Sequence, residues 1–184
     1  MTPLDDYTGQ YRAKVLIVDD TPVNQLVLRE ALSEDYEVLI ANDGPSAVRI
    51  ARGETRPDLI LLDVNMPGMD GYTVCKQLKE SPYTCDIPVI FITACNSPGD
   101  EVRGFMAGAS DYITRPLQLP VVQARVRAHL YYCELIQRLE FRNRGLAKRL
   151  AEFAETDNVP LVLYAHALEH THDAVTGQTH LPTL

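Results

Sequence analysis

The 184-residue sequence predicts an α/β fold, a doubly wound five-stranded parallel sheet followed by a long C-terminal α-helix. Short runs rich in Val, Ile and Leu alternate with helical patterns, as is typical of parallel strands that are buried on both faces. After the fifth run the strand signal stops, and a helical pattern continues to about residue 155. Strands and helices that alternate in this way place helices on both faces of one sheet.

Five strand-like runs are predicted, near residues 14–18, 36–40, 58–62, 87–92 and 110–113. The helices between them begin at recognisable signals. Thr21-Pro22 and Ser97-Pro98 each offer a capping hydroxyl before a proline at the first helical position. Asp70 can cap a helix over residues 71–79, and Pro120 suits the first turn of the last helix.

The last helix carries apolar residues at alternating spacings of four and three, a pattern that predicts a coiled-coil seam. The seam comprises Tyr132, Ile136, Leu139, Asn143, Leu146, Leu150 and Phe153. A polar residue at one core position, here Asn143, favours two parallel strands, so a homodimer is expected. The alternative is an amphipathic helix packed on its own domain. The predicted organisation is an N-terminal tail (1–12), a globular domain (13–131), a coiled-coil-like helical linker (132–156) and a C-terminal tail (157–184).

Composition narrows the class of protein. The formal net charge of −8 argues against nonspecific binding to nucleic acid, and no DNA-binding motif follows the last strand. The four cysteines show no C-x-x-C spacing and are expected to be reduced thiols in a cytoplasmic protein. The sequence shows neither a signal peptide nor an apolar stretch of membrane-spanning length, so no membrane association is expected.

Three aspartates follow predicted strands. Asp19 and Asp20 come directly after the first strand, and Asp63 follows the third. Ligands bind at the carboxyl ends of strands in an open parallel sheet, so the three carboxylates are expected to meet there. A hard cation such as Mg²⁺ would relieve their repulsion. A hydroxyl (Thr93) and a cation (Arg115) end the fourth and fifth strands, and together these groups suit an acyl phosphate on Asp63.

Four motifs carry a resemblance to a known family: Val-Asp-Asp at 18–20, Leu-Leu-Asp-Val-Asn-Met-Pro-Gly-Met-Asp-Gly at 61–71, Ile-Thr-Ala at 92–94 and Asp-Tyr-Ile-Thr-Arg-Pro at 111–116. With these motifs, residues 13–133 resemble the receiver domain of two-component response regulators, the CheY-like family. The resemblance implies that a sensor histidine kinase or phosphotransfer protein phosphorylates Asp63, and that the receiver relays the change through its C-terminal helix.

The resemblance also implies the roles of the surrounding residues. The implied Mg²⁺ ligands are Asp19, Asp20, Asp63 and the backbone carbonyl of Asn65, and the implied switch pair is Thr93 and Tyr112. A receiver of this kind would catalyse its own phosphorylation and dephosphorylation. The family's peptide bond before the proline at position 116 is usually cis.

One position departs from the family pattern, because Arg115 stands where the family has lysine. A guanidinium is a longer planar fork than a lysine ammonium, so Arg115 could alter the kinetics of phosphorylation or abolish it. The alternative function is therefore a non-phosphorylated pseudo-receiver that acts as a dimerisation or interaction module. A flavin- or nucleotide-binding enzyme of the same topology is disfavoured, because the turn at 19–22 is acidic and contains no glycine.

The C-terminal tail offers a weaker resemblance. Residues 171–177, Thr-His-Asp-Ala-Val-Thr-Gly, look like the opening of diguanylate cyclase (GGDEF) domains, and HD-GYP phosphodiesterases have a similar segment. Both matches fail after Gly177, so the tail is interpreted as the truncated start of an output domain or as a vestigial tail. His166, His170 and His172 have a helical spacing that could suit a metal, although a solvated helix face explains them equally well.

Overall fold

The structure, a computed structural model, describes residues 12–94, 102–104 and 106–156, with side chains up to Glu152. The sheet contains five strands, β1 (Lys14–Val18), β2 (Glu37–Ala41), β3 (Leu59–Asp63), β4 (Val89–Thr93) and β5 (Asp111–Thr114). The helices that the structure describes as unbroken stretches are α1 (Pro22–Leu32), α2 (Gly44–Ala51), α3 (Gly71–Lys79) and α4 (Leu119–Thr156). The predicted fold class, a five-stranded α/β sheet with a long C-terminal helix, is confirmed.

All strand pairs are parallel, and the strand order is β2-β1-β3-β4-β5. The chain moves from β1 out to β2 and then returns to the other side of β1 for β3. This reversal between β1 and β3 is the topological switch point, where a crevice opens at the carboxyl ends of the strands. Val18 pairs in register with Leu62, so the residues that follow this pair, Asp19 and Asp63, reach the same edge of the sheet.

Alternating side chains of the strands build a core on each face of the sheet. On one face, Leu16 and Val18 pack with apolar residues of α2 and α3. On the other, Val15 and Ile17 pack with residues of α1 and the first turns of α4. Every residue of β3 and β4 is buried, which is why these strands appear in the sequence as continuous apolar runs.

Two predicted helix starts are confirmed and one is partly wrong. The Asp70 side chain accepts a hydrogen bond from the Thr73 amide at 2.8 Å, and Pro120 lies in the first turn of α4. Pro22 begins α1, but the Thr21 hydroxyl does not cap it. The hydroxyl donates to the neighbouring Asp20 carboxylate at 3.4 Å, whereas a capping hydroxyl would accept from a backbone amide of the first turn. The segment Ser97-Pro98 lies outside the described residues.

The contacts between residues divide the chain into two units, with the boundary between Tyr131 and Tyr132. Beyond this point, the described part of α4 exposes apolar side chains on the predicted stripe, including Leu139 at 51% and Leu146 at 57% exposure. Ion pairs one turn apart, such as Arg138 with Glu134 at 2.6 Å, support this part of the helix. Among the described helices, none combines the length and apolar character needed to cross a bilayer.

Candidate functional site

Three aspartates converge at the carboxyl edge of the sheet. Asp19 directly follows β1, Asp20 is next to it, and Asp63 is the last residue of the neighbouring β3. One carboxylate oxygen from each lies within 4.8 Å of the others. Asp19 and Asp63 are buried, whereas Asp20 is exposed. Three carboxylates at this spacing supply the oxygen ligands that a hard divalent cation prefers, so the residues present fit Mg²⁺.

Arg115 brings a positive charge into this acidic cluster. Its Nη2 atom lies 2.7 Å from Asp19 Oδ2 and 3.4 Å from Asp63 Oδ1. The backbone amide of Arg115 donates to the Thr93 carbonyl at 2.8 Å, which holds the segment after β5 against the end of β4. The Arg115–Pro116 peptide bond is cis. The structure therefore places the unusual arginine in direct contact with two of the three aspartates.

Contacts from Thr21 and from residues of α1 hold Asp19 in place, and the sequence analysis did not predict them. The Asn24 side-chain amide donates to Asp19 Oδ1 at 3.0 Å and to Oδ2 at 3.1 Å. The Thr21 amide donates to Oδ1 at 2.8 Å. Buried Gln25 donates to the Asp19 carbonyl at 2.5 Å and to Asn42 Oδ1 at 2.8 Å. The available signal was an amide side chain in the first turn of a helix, five residues after a strand-end aspartate.

The environment of Asp63 disfavours its charged form. Burial raises the pKa of the Asp63 carboxyl, and the nearby negative charge of Asp19 raises it further. The Arg115 guanidinium opposes both effects, but the pKa remains above its usual value. A carboxylate in this position therefore gains from any additional cation that reaches the cluster.

The tight loop that follows Asp63 in the chain helps to fix its position. The Gly71 amide donates to the Val64 carbonyl at 3.0 Å, closing the loop between β3 and α3. A Cβ atom on Gly71 would lie 2.4 Å from the Asp63 carbonyl oxygen, so the approach requires glycine. Gly68 takes a φ of 81° in the same loop, and Asn65 is exposed there. The loop thus holds the phosphoacceptor candidate and the predicted carbonyl ligand in one short segment.

Thr93 and Tyr112 lie on the two remaining strands. Thr93 is the buried last residue of β4, at the same edge as the aspartates. Half-buried Tyr112 pairs in register with Phe91, two residues before the pair formed by Thr93 and Thr114. Tyr112 packs against the core on the α2–α3 face. The site therefore consists of the acidic cluster, formed by the three aspartates, and of Arg115 beside it. Thr93 lies at its edge, and Tyr112 is set back along β5.

A second polar cluster was not foreseen from the sequence. Arg125 on α4 donates to both carboxylate oxygens of Asp111 at 2.6 Å, and His129 Nε2 lies 3.0 Å from Asp111 Oδ2. Burial raises the pKa of Asp111, but the hydrogen bonds from Arg125, His129 and the Tyr112 amide outweigh it, so the pKa falls below its usual value. The cluster joins β5 to α4. The sequence pattern that could have indicated this cluster is an arginine and a histidine spaced one helical turn apart on α4.

Several candidates from the tail lie outside the described residues: His166, His170, His172 and the segment 171–177.

Comparison with known proteins identifies the family. The response regulator receiver domain family matches residues 15–127. The chain is 46% identical over 131 residues to the response regulator PleD of Caulobacter vibrioides, covering 71% of this chain and 29% of that protein. It is 35% identical over 173 residues to a "probable cyclic di-GMP phosphodiesterase" of Vibrio cholerae, covering 92% of this chain and 39% of that protein.

A solved structure supports the same assignment. The receiver domain of a signal transduction histidine kinase from Syntrophus aciditrophicus has a TM-score of 0.60 and 41% identity, covering 65% of this chain and 90% of that chain. The chain spans well under half the length of the two curated relatives. Receiver domains of response regulators receive phosphate from histidine kinases. The family match covers more than half of the sequence, so this chain belongs to the response regulator receiver domain family.

Proposed function

We propose that Asp63 is the residue that accepts the phosphoryl group. The observation that carries this proposal is the convergence of three aspartates, with oxygens within 4.8 Å of one another, beside the Arg115 guanidinium. Asp63 lies on β3, between β1, which Asp19 follows, and β4, which ends in Thr93, so it occupies the centre of the group. The proposed Mg²⁺ ligands are the carboxylates of Asp19, Asp20 and Asp63 and the backbone carbonyl of Asn65.

The proposed reaction is transfer from a phosphohistidine of a sensor kinase or phosphotransfer protein. An Asp63 carboxylate oxygen forms a bond to phosphorus while the phosphorus–nitrogen bond breaks, and the electron pair stays on the imidazole nitrogen. Bound Mg²⁺ would supply charge neutralisation for the phosphoryl oxygens. The loop closed by Gly71 fixes the nucleophile, because the Asp63 carbonyl is in close contact with the start of α3.

Thr93 and Tyr112 are the proposed switch pair. Buried Thr93 ends the strand next to β3, from which its hydroxyl would move toward a phosphoryl group on Asp63. Half-buried Tyr112 lies on the following strand, and its ring would turn further inward. The Arg115 amide donates a hydrogen bond to the Thr93 carbonyl, so a movement of the Thr93 backbone would also move Arg115.

Mass spectrometry of the intact chain tests this function. After incubation with acetyl phosphate and Mg²⁺, we expect one added phosphoryl group in the wild-type chain and none in Asp63→Asn. Excess EDTA should prevent the addition, because the carboxylates repel an incoming anion in the absence of metal. Asp35→Asn is the matched control, since it removes an exposed aspartate from outside the site. Equal labelling of Asp63→Asn, or of the wild-type chain in EDTA, would contradict the proposal, and a wild-type chain that does not label at all would favour a pseudo-receiver.

We further propose that residues 132–156 form a parallel homodimer that carries the signal onward. In the single chain, Leu139, Leu146 and Leu150 are each more than half exposed on one stripe. Burying one leucine side chain is worth roughly 1.5–3 kcal/mol, so a second copy would stabilise this helix considerably. Exposed Asn143 falls at a core position, where it would bond its symmetry mate across two parallel strands.

Sedimentation of matched double variants tests the dimer. Leu139→Asp with Leu146→Asp should convert a dimer to a monomer, because it places charges in the seam. Gln137→Asp with Phe141→Asp adds the same charge at exposed positions outside the stripe and should leave the dimer intact. Circular dichroism should show folded protein in both cases. A wild-type chain that sediments as a monomer at tens of micromolar, or a seam variant that stays dimeric, refutes this interface.

The tail, residues 157–184, is proposed to begin an output segment. The alignment to the relative named as a cyclic di-GMP phosphodiesterase covers 92% of the chain, which is more than residues 1–156, so it includes part of the tail. This observation fits the weak resemblance of residues 171–177 to domains of cyclic di-GMP turnover. Removal of residues 157–184 should leave labelling of Asp63 unchanged if the tail only connects the receiver to an output domain. Loss of labelling would show that the tail belongs to the receiver.

A further inference from the structure

Arg115 already offsets part of the negative charge of the three aspartates. One nitrogen, Nη2, contacts both Asp19 and Asp63. The side chain of Arg115 is 24% exposed, whereas that of Asp19 is fully buried. An ion pair so shielded from water is screened far less than one at the surface. The guanidinium is therefore an effective counter-charge for two carboxylates that are also proposed metal ligands.

The hydrogen bonds of Asp19 leave little capacity for another partner. Its Oδ1 accepts from the Thr21 amide and the Asn24 side chain, and its Oδ2 accepts from Asn24 and Arg115. A carboxylate offers about four acceptor positions, so these donors fill them. A metal ion can reach Asp19 by displacing one of these donors. Thr21 donates from the backbone and Asn24 lies within α1, so the long side chain of Arg115 is the donor that can most readily leave.

We propose that Arg115 is an internal counter-cation, and that its ion pair with Asp19 and Asp63 and the binding of a divalent metal ion exclude each other. This inference rests on the proposed function, since it assumes that the same carboxylates hold the metal. Two consequences follow. The arginine lowers the affinity of the site for metal, and metal binding releases the guanidinium. Its N–H donors then become available to phosphoryl oxygens, which an arginine can bind in bidentate fashion.

Metal titration of the full-length chain provides the first test. Calorimetry with Mg²⁺ compares the wild type with Arg115→Gln, which removes the competing charge, and with Arg127→Gln, which removes an exposed arginine on α4. Coupling between two binding events typically changes affinity by about 5–150-fold, so Arg115→Gln should bind Mg²⁺ at least about fivefold more tightly. Arg127→Gln should match the wild type within about twofold, because exposed charges are largely screened. Equal or weaker binding by Arg115→Gln overturns the inference.

A second test uses the wild-type chain and therefore does not depend on how the variant folds. The guanidinium resonance of Arg115, assigned by its disappearance in Arg115→Lys, should shift on addition of Mg²⁺ with the same dissociation constant as the backbone amides of Asp20 and Val64. If those amides shift to saturation while the guanidinium resonance stays in place, the two cations do not exclude each other and the inference is wrong. Neither measurement requires phosphorylation, so failure of Asp63 to label with acetyl phosphate remains a separate result that counts against the proposed function.

Discussion

Removing the charge of Asp63 should stabilise the protein even though it destroys the proposed phosphoacceptor. This carboxylate is buried at 6% exposure, with another aspartate oxygen no more than 4.8 Å away. Two unit charges at that distance repel by about 3.5 kcal/mol at an effective dielectric constant of about 20. Asp19 contributes such a repulsion, and exposed Asp20 adds a smaller one. Attraction to Arg115 at 3.4 Å, about 5 kcal/mol on the same scale, offsets most or all of this repulsion. The cost of burial, the largest influence on the Asp63 pKa, remains.

The remaining burial cost predicts that Asp63→Asn is more stable than the wild type by about 1–3 kcal/mol at neutral pH without metal, since asparagine carries no charge to desolvate. The asparagine oxygen can still accept the bond from Arg115. Urea unfolding followed by far-ultraviolet circular dichroism measures the difference, as a midpoint shift on the order of 1 M. Asp35→Asn, at an exposed position, should stay within about 0.5 kcal/mol of the wild type.

The pH dependence gives the prediction a sign. The folded-state pKa of Asp63 is raised above its unfolded value, so the folded state holds its proton to higher pH and the wild type loses stability as pH rises. The difference between Asp63→Asn and wild type should therefore vanish below about pH 4, where both states are protonated, and grow as pH rises through the folded pKa. A less stable Asp63→Asn variant, or a difference that does not change with pH, would refute this account of the cluster.

Three further predictions concern the surroundings of the site. Gly71→Ala should cost about 2 kcal/mol or more in urea unfolding, because its Cβ would lie 2.4 Å from the Asp63 carbonyl; a neutral result would mean the loop can relax. Asp111→Asn should lower the free energy of unfolding by about 1.5–3 kcal/mol at neutral pH, because it removes the charge-assisted hydrogen bonds to Arg125. This loss should shrink as pH falls through the lowered Asp111 pKa, and a loss that does not change with pH would exclude that cause. Arg115→Lys should keep stability within about 1 kcal/mol but change the phosphorylation rate or phosphoryl lifetime; unchanged rates with a sharp fall in stability would make Arg115 a structural residue.

Patterns within short segments predicted much of the fold. The strands β3 and β4 are buried along their whole length, so their apolar runs could be recognised without knowledge of their neighbours. The convergence of Asp19 and Asp63 followed from topology alone, since parallel strands that pair in register end at the same edge. Asp70 as a cap was equally local, because it depends on a contact three residues away.

What the sequence did not predict depends on side-chain direction and on packing between distant segments. The amide of Asn24 points at Asp19 because α1 packs against the sheet at a particular rotation, which hydrophobic periodicity does not determine. The bond between Asp111 and Arg125 joins a strand to a helix across the sheet edge. The Thr21 hydroxyl was misassigned because capping requires its oxygen to face a backbone amide, and the sequence does not determine that side-chain direction. The roles of all the site residues, Asp63 and the proposed Mg²⁺ ligands included, and the domain boundaries remain predictions.

The contact between Asp19 and Arg115 joins residues 96 positions apart in the chain. Together with Asp63 it ties β1, β3 and the end of β5 into one unit, whereas the edge strand β2 contributes no group to the cluster. Any opening that separates the three strands releases a ligand bound across these groups. The ligand therefore raises the free energy of that opening by its full binding free energy, which slows hydrogen exchange of the amides in β1 and β3. Opening of β2 alone leaves such a ligand in place. Amides of residues 37–41 should therefore keep their ligand-free exchange rates while those of β1 and β3 become strongly protected.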